Sequence, residues 1–304
     1  MKKTFSFWLC LLCFFGGFSQ SLSAYELVVV SMFNNCAPYI KEWVEYHRLL
    51  GVDHFWLYDD ASTDDWQSEL SPYIESGLVE VFYWPAGKPD WTTGQMAAFH
   101  DGLKRGVGVT KWITLLDQDE FILPMQDKSI TECLEKRFSH AAAIYVNWHN
   151  FGTSGITLAA HEPMLSRLTS CSTKSHPRNA VGKSIIRPEH AKIDAILSQH
   201  FCPLIDGVYV NGDGNQTLTF RGDDLISNDG KNHSDYIRIN HYAHRDENYF
   251  YNIRLPRDSD PRLMLEHYKA FNLEKNYDIL NLLEAYYPEH YNKFWKCFRR
   301  DSIK

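Results

Sequence analysis

Lys111-Trp112-Ile113-Thr114-Leu115-Leu116-Asp117-Gln118-Asp119-Glu120-Phe121 is the stretch from which the rest of the chain can be read. Its first half, Trp112 to Leu116, is a short apolar run with β-branched residues at Ile113 and Thr114, the pattern of a strand buried on both faces. Its second half sets Asp117, Asp119 and Glu120 within four residues. Hard oxygen ligands at the carboxyl end of a buried strand suit a Mg²⁺ or Mn²⁺ ion carrying a diphosphate. In open α/β sheets the ligand crevice lies outside those strand ends. The alternative is an Asp-rich turn that ends the ladder by bonding its own backbone.

Upstream, the chain alternates strand and helix. Glu26 to Met32 reads as a buried strand, Tyr39 to Leu50 as a helix with Ile40, Trp43, Val44, His47 and Leu50 on one face, and His54 to Tyr58 as a second strand. A helix follows from Trp66 to Glu75, with Thr63 or Asp64 as its cap, then a strand from Val79 to Trp84 and a helix from about Thr93 to Arg105. This alternation predicts a doubly wound, parallel sheet over residues 26 to 121. No Gly-x-Gly-x-x-Gly follows the first strand and no Walker lysine is present, which removes the main support for a dinucleotide or P-loop function.

Downstream the pattern loosens. Ser129 to Phe138 reads as a helix and Ala142 to Trp148 as a strand. Asn150 to Arg187 is loop-rich, with short strands expected at Val181 to Arg187 and Gln216 to Phe220. Tyr236 to Tyr242 alternates, and helices are expected from Asp258 onward.

The 304 residues are 44% hydrophobic and carry 31 basic against 38 acidic side chains, a net of −7 without a basic stripe. A nucleic-acid partner is therefore not expected. Residues 1 to 24 have the form of an export signal or short signal-anchor: Lys2 and Lys3, the apolar run Phe5 to Phe18, then small residues at Ser21 to Ala24. The run is shorter than the roughly 20 residues that span a bilayer. The expectation is export or entry to the secretory pathway, with membrane association only through this segment. Cys36, Cys133, Cys171, Cys202 and Cys297 remain, an odd number without Cys-x-x-Cys. Either Cys171 pairs with Cys202 or these are lone buried thiols. Asn215 and Asn232 head glycosylation sequons.

Several of these segments together resemble glycosyltransferase family 92 and its relatives in family 2. The resemblance rests on Asn34-Asn35-Cys36-Ala37-Pro38-Tyr39-Ile40 with Glu42-Trp43-x-x-Tyr46-His47-x-x-x-Gly51, on Tyr58-Asp59-Asp60-Ala61-Ser62-Thr63-Asp64, and on Gln95. It continues through Leu116-Asp117-Gln118-Asp119-Glu120-Phe121, Trp148-x-x-Phe151-Gly152-x-Ser154-Gly155, Lys183-Ser184-Ile185-Ile186-Arg187-Pro188 and Ile239-Asn240-His241-Tyr242, in the family's order. Cys36 departs from the Glu of the family's opening motif. The resemblance covers about residues 26 to 260. It implies a GT-A (nucleotide-diphospho-sugar transferase) fold at residues 25 to 260, with a C-terminal helical extension at 261 to 304. The implied activity is sugar transfer, usually with inversion, from a nucleotide-sugar donor, a UDP-sugar foremost, to a glycan, protein or lipid acceptor.

The resemblance also distributes roles. Asp119 is the first candidate ligand for Mn²⁺ or Mg²⁺, Asp117 the second, also facing the ribose, and His241 the third; a buried His bonded to backbone is the alternative for His241. Glu120 is read as a structural carboxylate of the turn. Asn34, Asp59, Asp60 and Gln95 are candidates for the nucleotide, and turn formation is the alternative for Asp59 and Asp60. Lys183 and Arg245 are candidates to hold the leaving diphosphate. A base is needed for the acceptor hydroxyl; among Glu162, Asp206 and Asp213 the reading favours Asp206. Trp148 and Phe151 are candidates either to stack on a sugar or to fill the core. A nucleotidyltransferase lacks its Gly-rich basic loop here, and the alternative is an exported, non-catalytic sugar- or nucleotide-binding protein on the same fold.

Overall fold

The computed structural model describes residues 24–85, 91–195, 198–216, 218–221, 224–227 and 229–296. The expected export segment up to residue 23 and Cys297 lie outside them. No helix among the described residues is long and apolar enough to cross a membrane.

The first half is the expected alternation. Strands β1 (Tyr25–Phe33), β2 (His54–Asp59), β3 (Val79–Tyr83) and β4 (Thr110–Leu115) alternate with helices α1 (Ala37–Leu49), α2 (Trp66–Glu75) and α3 (Trp91–Gly106). The four strands pair in parallel in the order β3-β2-β1-β4. In β1, Leu27, Val29 and Phe33 face a core shared with Ile40, Trp43, Leu70 and Tyr73. Val28, Val30 and Met32 face the opposite core, with Ala98, Phe99 and Leu103 of α3. The period-two alternation of a strand thus puts α1 and α2 on one face of the sheet and α3 on the other. At Gly102 a Cβ would lie 2.7 Å from a Val30 methyl, so the small residue sets how closely α3 approaches β1.

The second half completes the sheet in mixed orientation. It contributes β5 (Glu120–Pro124), helix α4 (Ile130–Phe138), β6 (Ala143–Asn150), the two-residue β7 (Ser170–Cys171), β8 (Gly182–Ile186) and β9 (Tyr209–Asn211). The hairpin β10 (Leu218–Arg221) and β11 (Asp224–Ser227), then β12 (Ile237–His241) and β13 (Glu274–Lys275), follow. Sheet order continues β4-β8-β6-β12-β5, with β9 also beside β6. β6, β9 and β12 run parallel to one another, whereas β8 and β5 are antiparallel to their neighbours. The result is a mostly parallel α/β sheet. β5 was not anticipated. The apolar run after Glu120 is itself a strand, and the carboxylates occupy the tight reversal between β4 and β5.

The helices Pro261–Ala270 and Asp278–Tyr286 follow β12. Ile279, Leu280, Leu283, Tyr291 and Trp295 belong to the same core as α1. β13 pairs with β7, and Arg238 of β12 bonds Asp278 at 2.9 Å. Cys36, Cys133, Cys171 and Cys202 are buried free thiols, so the Cys171–Cys202 pairing is not formed.

Candidate active site

The reversal after β4 is pinned from below. Gln118 is buried and turned inward, donating to Ser31 Oγ at 2.6 Å and to the Met32 carbonyl at 3.0 Å, which fixes the turn on the carboxyl end of β1. The Asp117 amide donates to Glu120 Oε2 at 2.9 Å, and the Trp148 indole donates to Glu120 Oε1 at 2.8 Å. Glu120 is fully buried and so occupied that it is a structural carboxylate, as expected. Burial pushes its carboxyl well above the usual range, opposed by the Lys183 ammonium.

Asp117 and Asp119 flank Gln118 and meet different surroundings. Asp117 Oδ1 accepts from Gln95 Nε2 of α3 at 2.6 Å, and Oδ2 from Lys183 Nζ of β8 at 2.9 Å. Lys183 is wholly buried and also lies 3.8 Å from Glu120. At Gly182, beside it, a Cβ would sit 2.0 Å from the Val146 carbonyl, so glycine lets β8 come close enough to β6 to deliver the lysine. Burial raises the Asp117 carboxyl, but the Lys183 charge and hydrogen bond, His200 and Gln95 outweigh it, and the group is held below the usual range. Lys183 answers in kind: burial disfavours its charge, and Asp117 and Glu120 more than restore it.

Strand register brings His241 to Asp119. His241 of β12 pairs with Glu120 on one side and with Asn150 of β6 on the other, and the Tyr242 amide donates to the Asp119 carbonyl at 2.7 Å. Asn150 Nδ2 donates to Asn179 Oδ1 at 2.8 Å, which leaves Asn150 Oδ1 to accept from His241 Nδ1 at 3.1 Å. Burial, with Lys183, Arg178 and Arg254 nearby, holds the imidazole well below its ordinary value. His241 is therefore neutral, its proton on Nδ1 and its Nε2 lone pair free. That nitrogen lies 3.9 Å from Asp119 Oδ1, a buried oxygen without a hydrogen-bond donor. Burial raises the Asp119 carboxyl; Arg245 opposes this and Asp117 adds to it.

Arg245 stands on the far side of Asp119. Its guanidinium lies 4.4 Å from the ring centroids of both Tyr39 and Tyr249. It is 7% exposed and its Nε has no acceptor.

The remaining candidates are placed as follows. Asn34 donates to the Asp60 carbonyl at 2.7 Å, and Asp59 Oδ1 accepts from the Ser62 amide at 2.9 Å, so both organise the loops at the ends of β1 and β2. Asp64 Oδ2 accepts from the Ala37 amide at 2.7 Å, at the start of α1 instead of capping α2. Asp206 is not brought to the site. It lies exposed beside His190, next to the segment that bonds Ala142 and Ala143 at the amino end of β6. The carboxylates sit at the carboxyl end, roughly 20 Å along the strand. Glu162 is paired with Arg167 at 3.1 Å and Asp213 with His233 at 2.6 Å. Trp148 and Phe151 are 5% and 1% exposed and fill the core, so neither offers a face to a sugar. Asn232 Nδ2 donates to the Trp148 and Asn179 carbonyls at 2.8 and 2.9 Å, which consumes the amide its sequon would present. The sequence reading missed Asn150, Asn179 and Arg254. Cavities of about 280, 310 and 360 Å³ lie away from these carboxylates, none lined by Asp117, Asp119 or His241.

The model of glycosyltransferase family 92 matches residues 29–205, more than half the chain, from within β1 to beyond β8. The chain belongs to glycosyltransferase family 92. A family 92 protein of Ricinus communis is 28% identical over 194 residues, covering 62% of this chain and 34% of that protein. One of Arabidopsis thaliana is 29% identical over 195 residues, covering 60% and 32%. The chain thus spans about a third of the length of the curated relatives it matches. Among solved structures, S. aureus TarS 1-349 is similar at 14% identity and a TM-score of 0.40, covering 88% of this chain and 72% of that one. Glucosyl-3-phosphoglycerate synthase from Mycobacterium tuberculosis, in a complex with Mn²⁺, UDP and glucosyl-3-phosphoglycerate, matches at 14% identity and a TM-score of 0.27, covering 41% and 44%.

Proposed function

We propose that this family 92 chain is a metal-dependent, inverting glycosyltransferase that moves a sugar from a nucleoside-diphosphate donor, foremost a UDP-sugar, to a hydroxyl of a glycan, protein or lipid acceptor. The observation that carries the reading is the approach of Asp119 Oδ1, a buried oxygen without a hydrogen-bond donor, to His241 Nε2 at 3.9 Å. A buried oxygen without a donor is unfavourable, and a cation bound between it and the imidazole would satisfy it. Mn²⁺ or Mg²⁺ takes oxygen and imidazole ligands at about 2.0–2.2 Å, so one ion can reach both atoms. Among the described residues no group of three or more His, Cys, Asp or Glu side chains surrounds a point. Asp119 and His241 would then hold the ion, with further positions left to the diphosphate and water. Bound there, it would neutralise charge on the departing diphosphate.

The chain's own residues supply the rest. Asp117, fixed by Lys183 and Gln95, is an ionised and immobile acceptor suited to the ribose hydroxyls or to a metal-bound water. Arg245 brings a positive charge to the phosphate side of Asp119. In the transfer an acceptor oxygen bonds the anomeric carbon as the bond from that carbon to the diphosphate breaks on the opposite face, and the hydroxyl proton passes to a base. The test is release of UDP from a panel of UDP-sugars with Mn²⁺ and with chelator. Metal-dependent release from at least one donor supports the reading, and none from any common nucleotide sugar, with or without metal, overturns it.

A further inference from the structure

A sugar transfer needs a group to take the acceptor proton, and the carboxylates considered so far are spent. Asp117 has both oxygens occupied and is held below the usual range. Glu120 is fully buried, bonded to the Asp117 amide and the Trp148 indole. Asp206 lies at the wrong end of β6, while Glu162 and Asp213 are paired elsewhere. His200 has no task assigned to it and stands close by. Lys183 Nζ, bonded to Asp117, lies 3.5 Å from the carbonyl of Gln199, the residue before it.

His200 is anchored through its backbone and its ring. Its amide donates to Ser198 Oγ at 3.0 Å, and its carbonyl accepts from Ser184 Oγ of β8 at 2.9 Å. Phe201, next in the chain, is buried with Tyr145 of β6. The ring Nδ1 lies 2.9 Å from the Gly182 carbonyl. A carbonyl only accepts, so the proton is on Nδ1 and the lone pair on Nε2. No hydrogen bond among the described residues reaches Nε2, and the side chain is partly exposed. Burial, then the Lys183 ammonium, holds the imidazole down at about 4, against the Gly182 carbonyl and Asp117, which favour its charge. At neutral pH it is therefore an uncharged proton acceptor of fixed tautomer. Its ring and that of His241 lie against one indole, 5.2 and 4.2 Å from the Trp148 ring. His241 turns Nε2 to Asp119, whereas His200 Nε2 has no protein partner among the described residues.

We propose that His200 Nε2 is the base that takes the acceptor proton, its ring held in place by the Gly182 carbonyl and Trp148. The proposal rests on the proposed donor site and deepens it. Asp119 and His241 answer for the departing diphosphate, and His200, on the same indole, answers for the incoming hydroxyl. The acceptor oxygen, or a water in its place, bonds the anomeric carbon. The bond from that carbon to the diphosphate breaks, and its electron pair leaves with the diphosphate. The hydroxyl proton moves to His200 Nε2, giving an imidazolium that later releases the proton to solvent. Negative charge gathers on the diphosphate as that imidazolium forms, which offsets the burial and the Lys183 charge that oppose it in the free protein.

The test compares the full chain with His200→Ala and His200→Gln, in Mn²⁺ and with whichever UDP-sugar of the panel wild type turns over. Three quantities are measured: UDP affinity, UDP release with water as the acceptor, and UDP release in sodium azide. Azide bonds the anomeric carbon through nitrogen and carries no proton, so it needs no base. Both variants are expected to bind UDP as wild type does and to release it in water about a hundredfold or more slowly, a loss in kcat and not in KM. Azide is expected to bring both back to the rate it supports in wild type, with the glycosyl azide as product. Should His200→Ala fail to fold, His200→Gln carries the test, because its amide can still donate to the Gly182 carbonyl. A structural role for the ring would weaken UDP binding in the variants and leave azide without effect, and that result overturns the proposal. Release in water at the wild-type rate overturns it as well, as does slow release that azide does not restore; both leave the proposed function standing. Wild type releasing UDP from no donor, in water or in azide, overturns the proposed function, and the role of His200 falls with it.

Discussion

Asp119 and Asp117 are two residues apart and chemically opposite. Asp117 is saturated, with one oxygen on Gln95 and the other on Lys183, and its charge is secured. Asp119 has a buried oxygen that nothing donates to, and its charge is held at a cost. The sequence shows the two as equals within one acidic string. What separates them is the alternation of side chains through a turn, together with a lysine 66 residues away that only β8 brings close. His241 is similar: its place at the end of a strand was legible, but its tautomer is set by Asn150 and Asn179, which no local pattern marks. Lys183 makes the clearest prediction at this scale. Lys183→Met leaves Asp117 and Glu120 without their shared cation, and a buried pair broken on one side costs about 3–5 kcal/mol. Urea unfolding measures it, and a loss under about 1 kcal/mol contradicts the assigned network. Asp206→Asn, by contrast, is expected to leave UDP affinity and transfer rate unchanged, because that carboxylate lies at the wrong end of β6.

At the scale of elements, the parallel half was legible because each apolar run of β1, β2 and β4 is buried on both faces and each helix between them carries a one-sided stripe. In the mixed half β6, β8 and β12 were legible as strands, but β5 and β9 and the order of pairing were not, since those two are short and the partners are distant in sequence. The opening of α1 shows a further reason. Asn35 Oδ1 accepts from the Thr63 and Asp64 amides while Asp64 bonds the Ala37 amide, so two loops cap each other in a way neither sequence segment reveals alone. Glu42 performs a similar cross-link, accepting from the Met164 and Leu165 amides and from the Trp295 indole. Burial pushes its carboxyl up to about 7 from 4.5, against the three donors that favour its charge. A carboxylate raised in the folded state binds more protons there than in the unfolded chain between those values. Its contribution to stability is therefore most favourable near pH 4.5 and declines as pH rises toward 7. The buried histidines act in the opposite sense, so the measurement is a difference. The stability of wild type relative to Glu42→Gln is expected to fall as pH goes from about 4.5 to 7, and a flat difference contradicts the assignment.

Over the whole molecule, the C-terminal helices were expected as an extension, and the contacts make them part of the core. Trp295 is 1% exposed and bonds Glu42 of α1, while Asp278 pairs with Arg238 in the sheet. Trp295→Ala is expected to cost about 3–5 kcal/mol, and a chain ended at residue 258 is expected to lose its cooperative thermal transition. The central claim, that Asp119 and His241 together hold a divalent ion for a nucleoside diphosphate, is tested most directly by the thermal unfolding of this chain with UDP. The measurement compares Mn²⁺ with chelator, in wild type and in Asp119→Asn. A ligand that binds only the folded state adds about 2.7 kcal/mol at a hundred times its dissociation constant. The predicted result is a rise in midpoint with UDP that requires Mn²⁺ and disappears in Asp119→Asn, whose midpoint without ligand stays at or above that of wild type because a buried, unpaired carboxylate has been removed. A rise that survives the substitution, or no rise in wild type, contradicts it.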